Sequence, residues 1–278
     1  MRAAAAMSVN LELRSLDIDI PSQPEALVKL SLLLADDDIN LSAVATLIES
    51  DMALAAAVLK AVNSSLYGLR GRVQSVQQAI TYLGMREIAA ITFEISLRAA
   101  FPPSAELEPL WHRAARRGLL MGRLGQRLSL DAWAAHSAGL FEECGKAVLF
   151  RHATDHYGAM LRAASSDAEL VTLEHAGFGV SHDALGAALC ESWGLGAAAV
   201  VSVRHHVSVL ERLEFPAHLT RRSISALSVI ANTLLEAPQT LDDVVERIAE
   251  PAELDPTLVL RGARQVQEQL AEALANGR

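Results

Sequence analysis

Two cysteines, Cys144 and Cys190, are all that the 278 residues hold. That excludes a disulfide framework and a cysteine-rich zinc ribbon, and it points to a reducing compartment, the cytoplasm. Aromatic side chains make up only 4% of the chain. A core is still available, because 51% of residues are hydrophobic. It has to be built from Ala, Leu, Val and Ile, a composition that favours helices. Positive charge is also in short supply: a net charge of −9 argues against general attraction to a nucleic-acid backbone. No run approaches about 20 uninterrupted apolar residues, so no segment is expected to span a membrane. The opening "MRAAAAMSVNLELR" lacks the apolar stretch of a signal peptide. Glycine-rich phosphate loops, RNA-binding signatures, helix-turn-helix spacing and a nucleophile elbow are missing too. Alternating strand patterns are rare.

What is present is helical punctuation. "PSQPEALVKLSLLLA" places Ser22 three residues before Glu25, a capping-box pattern, and Leu27, Leu30 and Leu34 follow at helical spacing. Asn40 or Ser42 is a plausible N-cap for the next helix, and Asp51 for "MALAAAVLKAVNS". Ser75 opens "SVQQAITYLG" and Gly84 closes it. Pro102 and Pro103 then stop a longer helix and mark a seam near residues 102–108. Beyond it the spacing predicts helices over 110–129, through "AGLFEECGK" (138–146), and over 153–164, 167–176, 182–193, 197–212, 218–236 and 240–249. A last helix over 256–275 puts Val259, Ala263, Val266, Leu270 and Leu274 on one stripe, suited to folding back on the second lobe or to a homodimer contact. The expected fold is all-α, in two packed helical lobes. The divisions are an N-terminal extension (1–17), a first lobe (18–102), a second lobe (103–236) and a C-terminal segment (237–278).

Several of these pieces occur together in one family. "IPSQPEALVKLSLLL", "ESDMALAAAVLKAVNSSLYG" and "SVQQAITYLGM", then "LEPLWHRAARRG", "HSAGLFEECGKAVLFRHATDHYGAML", "LEHAGFGVSHDALGAALCESWGL" and "VVSVRHHV", follow the order and spacing of the HDOD module. The resemblance covers about residues 18–236. HDOD modules are relatives of the HD superfamily of metal-dependent phosphohydrolases and of its cyclic di-GMP phosphodiesterase branch. The resemblance therefore implies an HD-like second lobe and a bacterial signalling role.

The HD site uses a histidine on the helix that opens the lobe, an adjacent His-Asp pair and a late Asp. Imidazole and carboxylate suit a divalent metal that activates water for attack on phosphorus. Carried over by the flanking residues, the pair falls on Glu142 and Glu143, and the late Asp on Asn232. The first histidine falls on Arg113, or on His112 if the register slips by one. A cationic Arg repels a metal, and neutral Asn replaces Asp poorly. Arg113 paired with Glu142 or Glu143 would instead occupy the metal's space. His182, His205 and His206 match positions that supply further ligands in the phosphodiesterase branch. His182 reads first as a hydrogen-bonded core residue, since it shares a helical face with Leu185, Leu189 and Trp193, and one of the adjacent pair, His205 or His206, is expected to point away from that core. An incidental zinc or nickel would draw on Glu142, Glu143, His182, His205 and His206. Cys144, beside two anions, is expected to have a raised pKa and to be a poor nucleophile. Arg116, Arg123 and Arg127 read as the solvated face of their helix.

The expectation is a non-enzymatic, cytoplasmic regulator that needs no cofactor and acts through contacts with signalling proteins. Its partner or ligand groove would carry Asn63, Ser64, Arg113, Glu142, Glu143, His182, His206 and Asn232. Asn63, at a helix end, reads first as a structural cap. The alternatives are a degenerate metal-dependent phosphodiesterase or phosphohydrolase, and a sensor that binds a cyclic dinucleotide without cutting it.

Overall fold

The structure, a computed structural model, describes residues 18–34, 41–64, 66–67, 69 and 71–276. The expected extension over 1–17 and the candidate cap Asn40 lie outside those residues. The chain is 76% helical, with no strand among the described residues. The described residues form two units: 23–100 with 263–276, and 18–22 with 101–262.

The unit built from 23–100 contains α1 (Glu25–Leu34), α2 (Leu41–Glu49), α3 (Met52–Val62), α4 (Val76–Leu83) and α5 (Met85–Ala99). Its core is aliphatic: Leu27, Leu30, Val44, Ile48, Val58, Val62 and Ile88 are fully buried, with Phe93 as the one large ring. Asp51 caps α3 by accepting from the backbone of Ala53 and Leu54, and Ser75 caps α4 through the Gln78 amide. Gly84 ends α4 at φ +81°, a conformation that L side chains rarely adopt. The capping box at Ser22 does not form. The first helical amides, of Leu27 and Val28, donate to the carbonyl of Pro24, so α1 starts at Glu25. Proline disfavours helical geometry in the residue before it, and Gln23 therefore cannot join the helix.

Asn63 closes α3 and ties down the segment that follows. Its amide donates to the carbonyls of Leu59 (2.8 Å) and Val73 (2.9 Å), and its oxygen accepts from Val73 N–H (2.8 Å). The two bonds to Val73 span ten residues and hold the return of the chain into α4. Asn63→Ala is expected to lower stability by about 1–2 kcal/mol, the scale of losing a small hydrogen-bond set at an exposed site, read as a fall in the thermal midpoint.

The other unit contains α6 (Glu108–Arg127), α7 (Ala132–Phe141), α8 (Cys144–His152), α9 (Thr154–Ala163), α10 (Asp167–Phe178), α11 (His182–Ser192), α12 (Ala197–Arg212), α13 (Ser223–Glu236) and α14 (Leu241–Ile248). Helix α14 and the turn after it pack on α12 and α13 through Val209, Ala226, Val229, Val244, Ile248 and Ala252. Residues 18–22 are held to this unit by the Trp193 indole, which donates to the Pro21 carbonyl (2.9 Å). The last helix, α15 (Pro256–Asn276), divides: 256–262 group with this unit and 263–276 with the other. Of its expected stripe, Val259, Ala263 and Val266 are fully buried, and the side chain of Leu274 lies outside the described residues.

Glycines set the helix separations in this unit. A Cβ on Gly139 would stand 2.8 Å from the backbone nitrogen of Gly118, and one on Gly118 would meet Leu140 at 2.9 Å. Helices α6 and α7 thus cross nearly backbone to backbone. Among the described residues no single helix is long and apolar enough to cross a membrane; α2 and α3 reach that composition only together, across a 113° bend.

Candidate functional site

The motif "AGLFEECGK" lies on two helices. Helix α7 ends at Phe141, Glu142 and Glu143 form a turn, and α8 begins at Cys144. Neighbouring positions on a straight helix point about 100° apart. The break lets both carboxylates face one guanidinium, that of Arg117. Its Nη1 lies 3.1 Å from Glu142 Oε2 and 3.2 Å from Glu143 Oε1, and its Nη2 donates to Asn232 Oδ1 at 3.1 Å. Three of the four positions that the HD comparison equates with metal ligands, Glu142, Glu143 and Asn232, therefore meet a single arginine. Arg117 is 5% exposed, Glu142 0% and Glu143 1%.

Two further cations complete the corner. Arg113, one turn before Arg117 on α6, approaches Glu143 Oε2 at 3.3 Å with a side chain still 45% exposed. Lys146, one turn after Glu143, lies 3.0 Å from Glu143 Oε2 and 2.7 Å from Asp167 Oδ1. Burial alone would raise the Glu143 carboxyl, but Lys146, Arg117 and Arg113 outweigh it and hold it well below the usual carboxylate range. Burial likewise opposes the charge on Lys146, and Glu143 and Asp167 restore it, leaving its pKa raised. Glu142 is less well served. It has Arg117 at ion-pair distance, yet neither of its oxygens makes a well-directed hydrogen bond.

A catalytic dication does not fit this corner. It would have to share Glu142, Glu143 and Asn232 with a guanidinium that never deprotonates, next to a second arginine and a buried lysine. Burial, and secondarily Glu143, push the Cys144 thiol well above the ordinary value, which disfavours the reactive thiolate. Both cysteines are free and buried.

The histidines form a separate group. His182 opens α11, and its Nδ1 lies 2.8 and 2.9 Å from the two oxygens of Glu174. Glu174 also accepts from the His182 backbone amide (2.8 Å) and from the Tyr157 hydroxyl (2.5 Å). His206 on α12 sets its Nδ1 2.7 Å from the Val203 carbonyl. The two rings are 5.4 Å apart, and one ligand-type atom each from Asp167, His182 and His206 lies within 4.8 Å of the others. Of the five residues expected to hold an incidental metal, only His182 and His206 converge. Glu142 and Glu143 face the cations, and His205 turns to His218, 5.4 Å away between ring centres.

Asn63 and Ser64 belong to the other unit. There Asn63, Lys60 and Arg72 help to line an open cleft of about 890 Å³, and Ser64 is exposed. Sequence reading missed Arg117, Lys146, Asp167, Glu174 and Tyr157. Arg117 and Lys146 had a signal, since each sits one helical turn from a residue already singled out. The other three had none, because their roles come from α10 meeting α8, α9 and α11.

Comparison with known proteins agrees with this architecture. The HDOD domain pattern matches residues 20–209. An uncharacterized protein of Treponema pallidum (strain Nichols) is 28% identical over 196 residues, 68% of this chain but only 37% of that protein. An HDOD domain protein of unknown function from Geobacter sulfurreducens superposes with a TM-score of 0.67 at 19% identity, covering 95% of this chain and 96% of the other. A provisionally named signal transduction protein from Marinobacter aquaeolei VT8 gives 0.70 at 20% identity, covering 94% of this chain and 59% of its own. A provisionally named phosphohydrolase from Shewanella amazonensis SB2B gives 0.65 at 17% identity, covering 97% and 98%. These likenesses carry the fold, and the match over 20–209 carries the lineage: the chain belongs to the HDOD domain family.

Proposed function

We propose that this HDOD protein is a non-enzymatic regulator of bacterial signal transduction that works through contacts with other proteins. The observation that supports this reading is Arg117. HD-type hydrolysis needs a dication in an open geometry, with a bound water brought toward neutral pKa. In this chain the guanidinium of Arg117 stands against Glu142, Glu143 and Asn232. A fixed positive charge there repels a metal and stands against the groups that would have bound it. What remains is a helical surface, and a buried polar network suits a contact role by holding one packing arrangement.

The test is an assay with cyclic di-GMP and with a simple aryl phosphodiester, each with added manganese, iron or nickel. No turnover above the protein-free control is expected. Turnover that disappears in the Glu142→Ala, Glu143→Ala double variant would overturn the reading and make the corner an altered active site.

A further inference from the structure

Helix α3 turns toward solvent a face that is apolar at one end and cationic at the other. Met52, Ala56, Leu59, Lys60 and Asn63 fall within about 100° of one another at 3.6 residues per turn, and Leu54, Val58 and Val62 are buried on the opposite side. Met52 is 87% exposed, the most exposed large hydrophobic side chain among the described residues. Near the C-terminal end of this face stands the segment 69–74, and the two walls bound the open cleft of about 890 Å³.

Asn63 holds those walls together. Both hydrogens of its amide go to the Leu59 and Val73 carbonyls, and its oxygen accepts from Val73 N–H, so it shapes the cleft and has no N–H left for a ligand. Leu59 and Leu69 are half-buried beside it. Lys60 and Arg72 are exposed at the cleft. Among the described residues neither takes part in an ion pair, and no acidic side chain lines the cleft. In a chain of net charge −9 this is a local reversal of sign. Unpaired cations beside partly exposed hydrocarbon match a ligand that brings both carboxylate and apolar surface.

We propose that this cleft docks an acidic amphipathic segment of a partner protein. The carboxylates of the segment pair with Lys60 and Arg72, and its aliphatic side chains lie on Leu59 and Leu69 and along the α3 face to Met52. From Met52 to Asn63 that face runs about 16 Å at 1.5 Å per residue, a length that suits a peptide better than a small anion. Among the described residues no aromatic side chain lines the cleft for a base to stack on, and the acidic chain repels a nucleic-acid backbone. The docking role rests on the reading of this chain as a contact protein and adds the chemistry of the partner. Turnover lost on removing Glu142 and Glu143 would overturn that reading and leave a measured docking site standing, whereas a cleft that binds no peptide removes the docking site alone.

The probe is a phage-displayed library of random peptides of about 12 residues, about 18 Å long if helical, selected on the full chain. The selected sequences are then synthesised and titrated by fluorescence anisotropy. They should be enriched in Asp and Glu together with Leu, Ile or Val, and their binding should weaken as salt rises, because exposed charges are screened. Lys60→Glu and Arg72→Glu should each weaken binding by more than about tenfold, since a like charge then faces the peptide's carboxylates. Gly71→Glu should do the same while keeping the parent's melting curve, because a carbon added there meets nothing within 4 Å. Arg221→Glu, an equal change of net charge at an exposed site in the other unit, should bind as the parent does. The proposal falls if selection yields no acid-rich family, or if its peptides bind the three cleft variants unchanged or lose as much with Arg221→Glu. It falls equally if the cleft variants instead abolish self-association in sedimentation or cyclic di-GMP binding in calorimetry, which would make the occupant a second copy or a nucleotide.

Discussion

Replacing Arg117 by Met is expected to lower the stability of this protein by about 3–5 kcal/mol, the usual cost of removing one partner from a buried ion pair. That is a large part of the 5–15 kcal/mol typical of a domain. The reason is what the substitution leaves behind. Glu142 and Glu143 are essentially inaccessible to solvent, and Glu142 has no other cation at ion-pair distance among the described residues. The pair itself is weak evidence of net stabilisation, because burying the charges costs about as much as pairing them returns. The triple variant Arg117→Met, Glu142→Gln, Glu143→Gln should accordingly recover much of the loss. Acid should narrow the gap. Glu143 is held below its ordinary value in the folded chain. Its contribution is therefore present above the unfolded-state value, about 4.3, and fades as pH falls through the lower folded-state value. Urea midpoints of parent and Arg117→Met should differ most near pH 7 and converge below about pH 4. An equal gap at both pH values would show that lost packing, not lost charge compensation, is the cause.

Gly145→Ala is expected to be at least as damaging. An added Cβ would stand 1.8 Å from the His182 carbonyl oxygen, 2.6 Å from its carbon and 2.8 Å from the Gly186 nitrogen. All three are backbone atoms on or at the start of α11, so no side chain can swing aside. Helices α8 and α11 have to separate, at or beyond the upper end of the about 1–3 kcal/mol typical of overpacking. The variant should therefore lose thermal stability. Gly71→Ala is the control, since nothing lies within 4 Å of its added carbon and a change within about 0.5 kcal/mol is expected. A Gly145→Ala protein with the parent's melting curve would show that the two helices do not meet as described.

The helical class, the caps at Asp51 and Ser75, the stop at Pro102 and the family were legible in the sequence, because each rests on local spacing or on motifs that keep their order. Legible too, as an expectation from the family resemblance, was that Glu142, Glu143 and Asn232 stand at the HD ligand positions. The cation that answers them was not. Arg113 and Arg117 lie one turn apart, and only the close crossing of α6 and α7 at Gly118 and Gly139 puts Arg117 inside and leaves Arg113 at the rim. The capping box at Ser22 failed for a local reason, the proline between it and the helix. Asp167, His182 and His206 are far apart in sequence, and periodicity marks two of them as helix-face residues without saying what they face. By itself the sequence determined which residues could bear charge or donate a lone pair. Which of them meet was decided by helix packing, because side-chain direction at a crossing depends on the contact distance that the glycines allow.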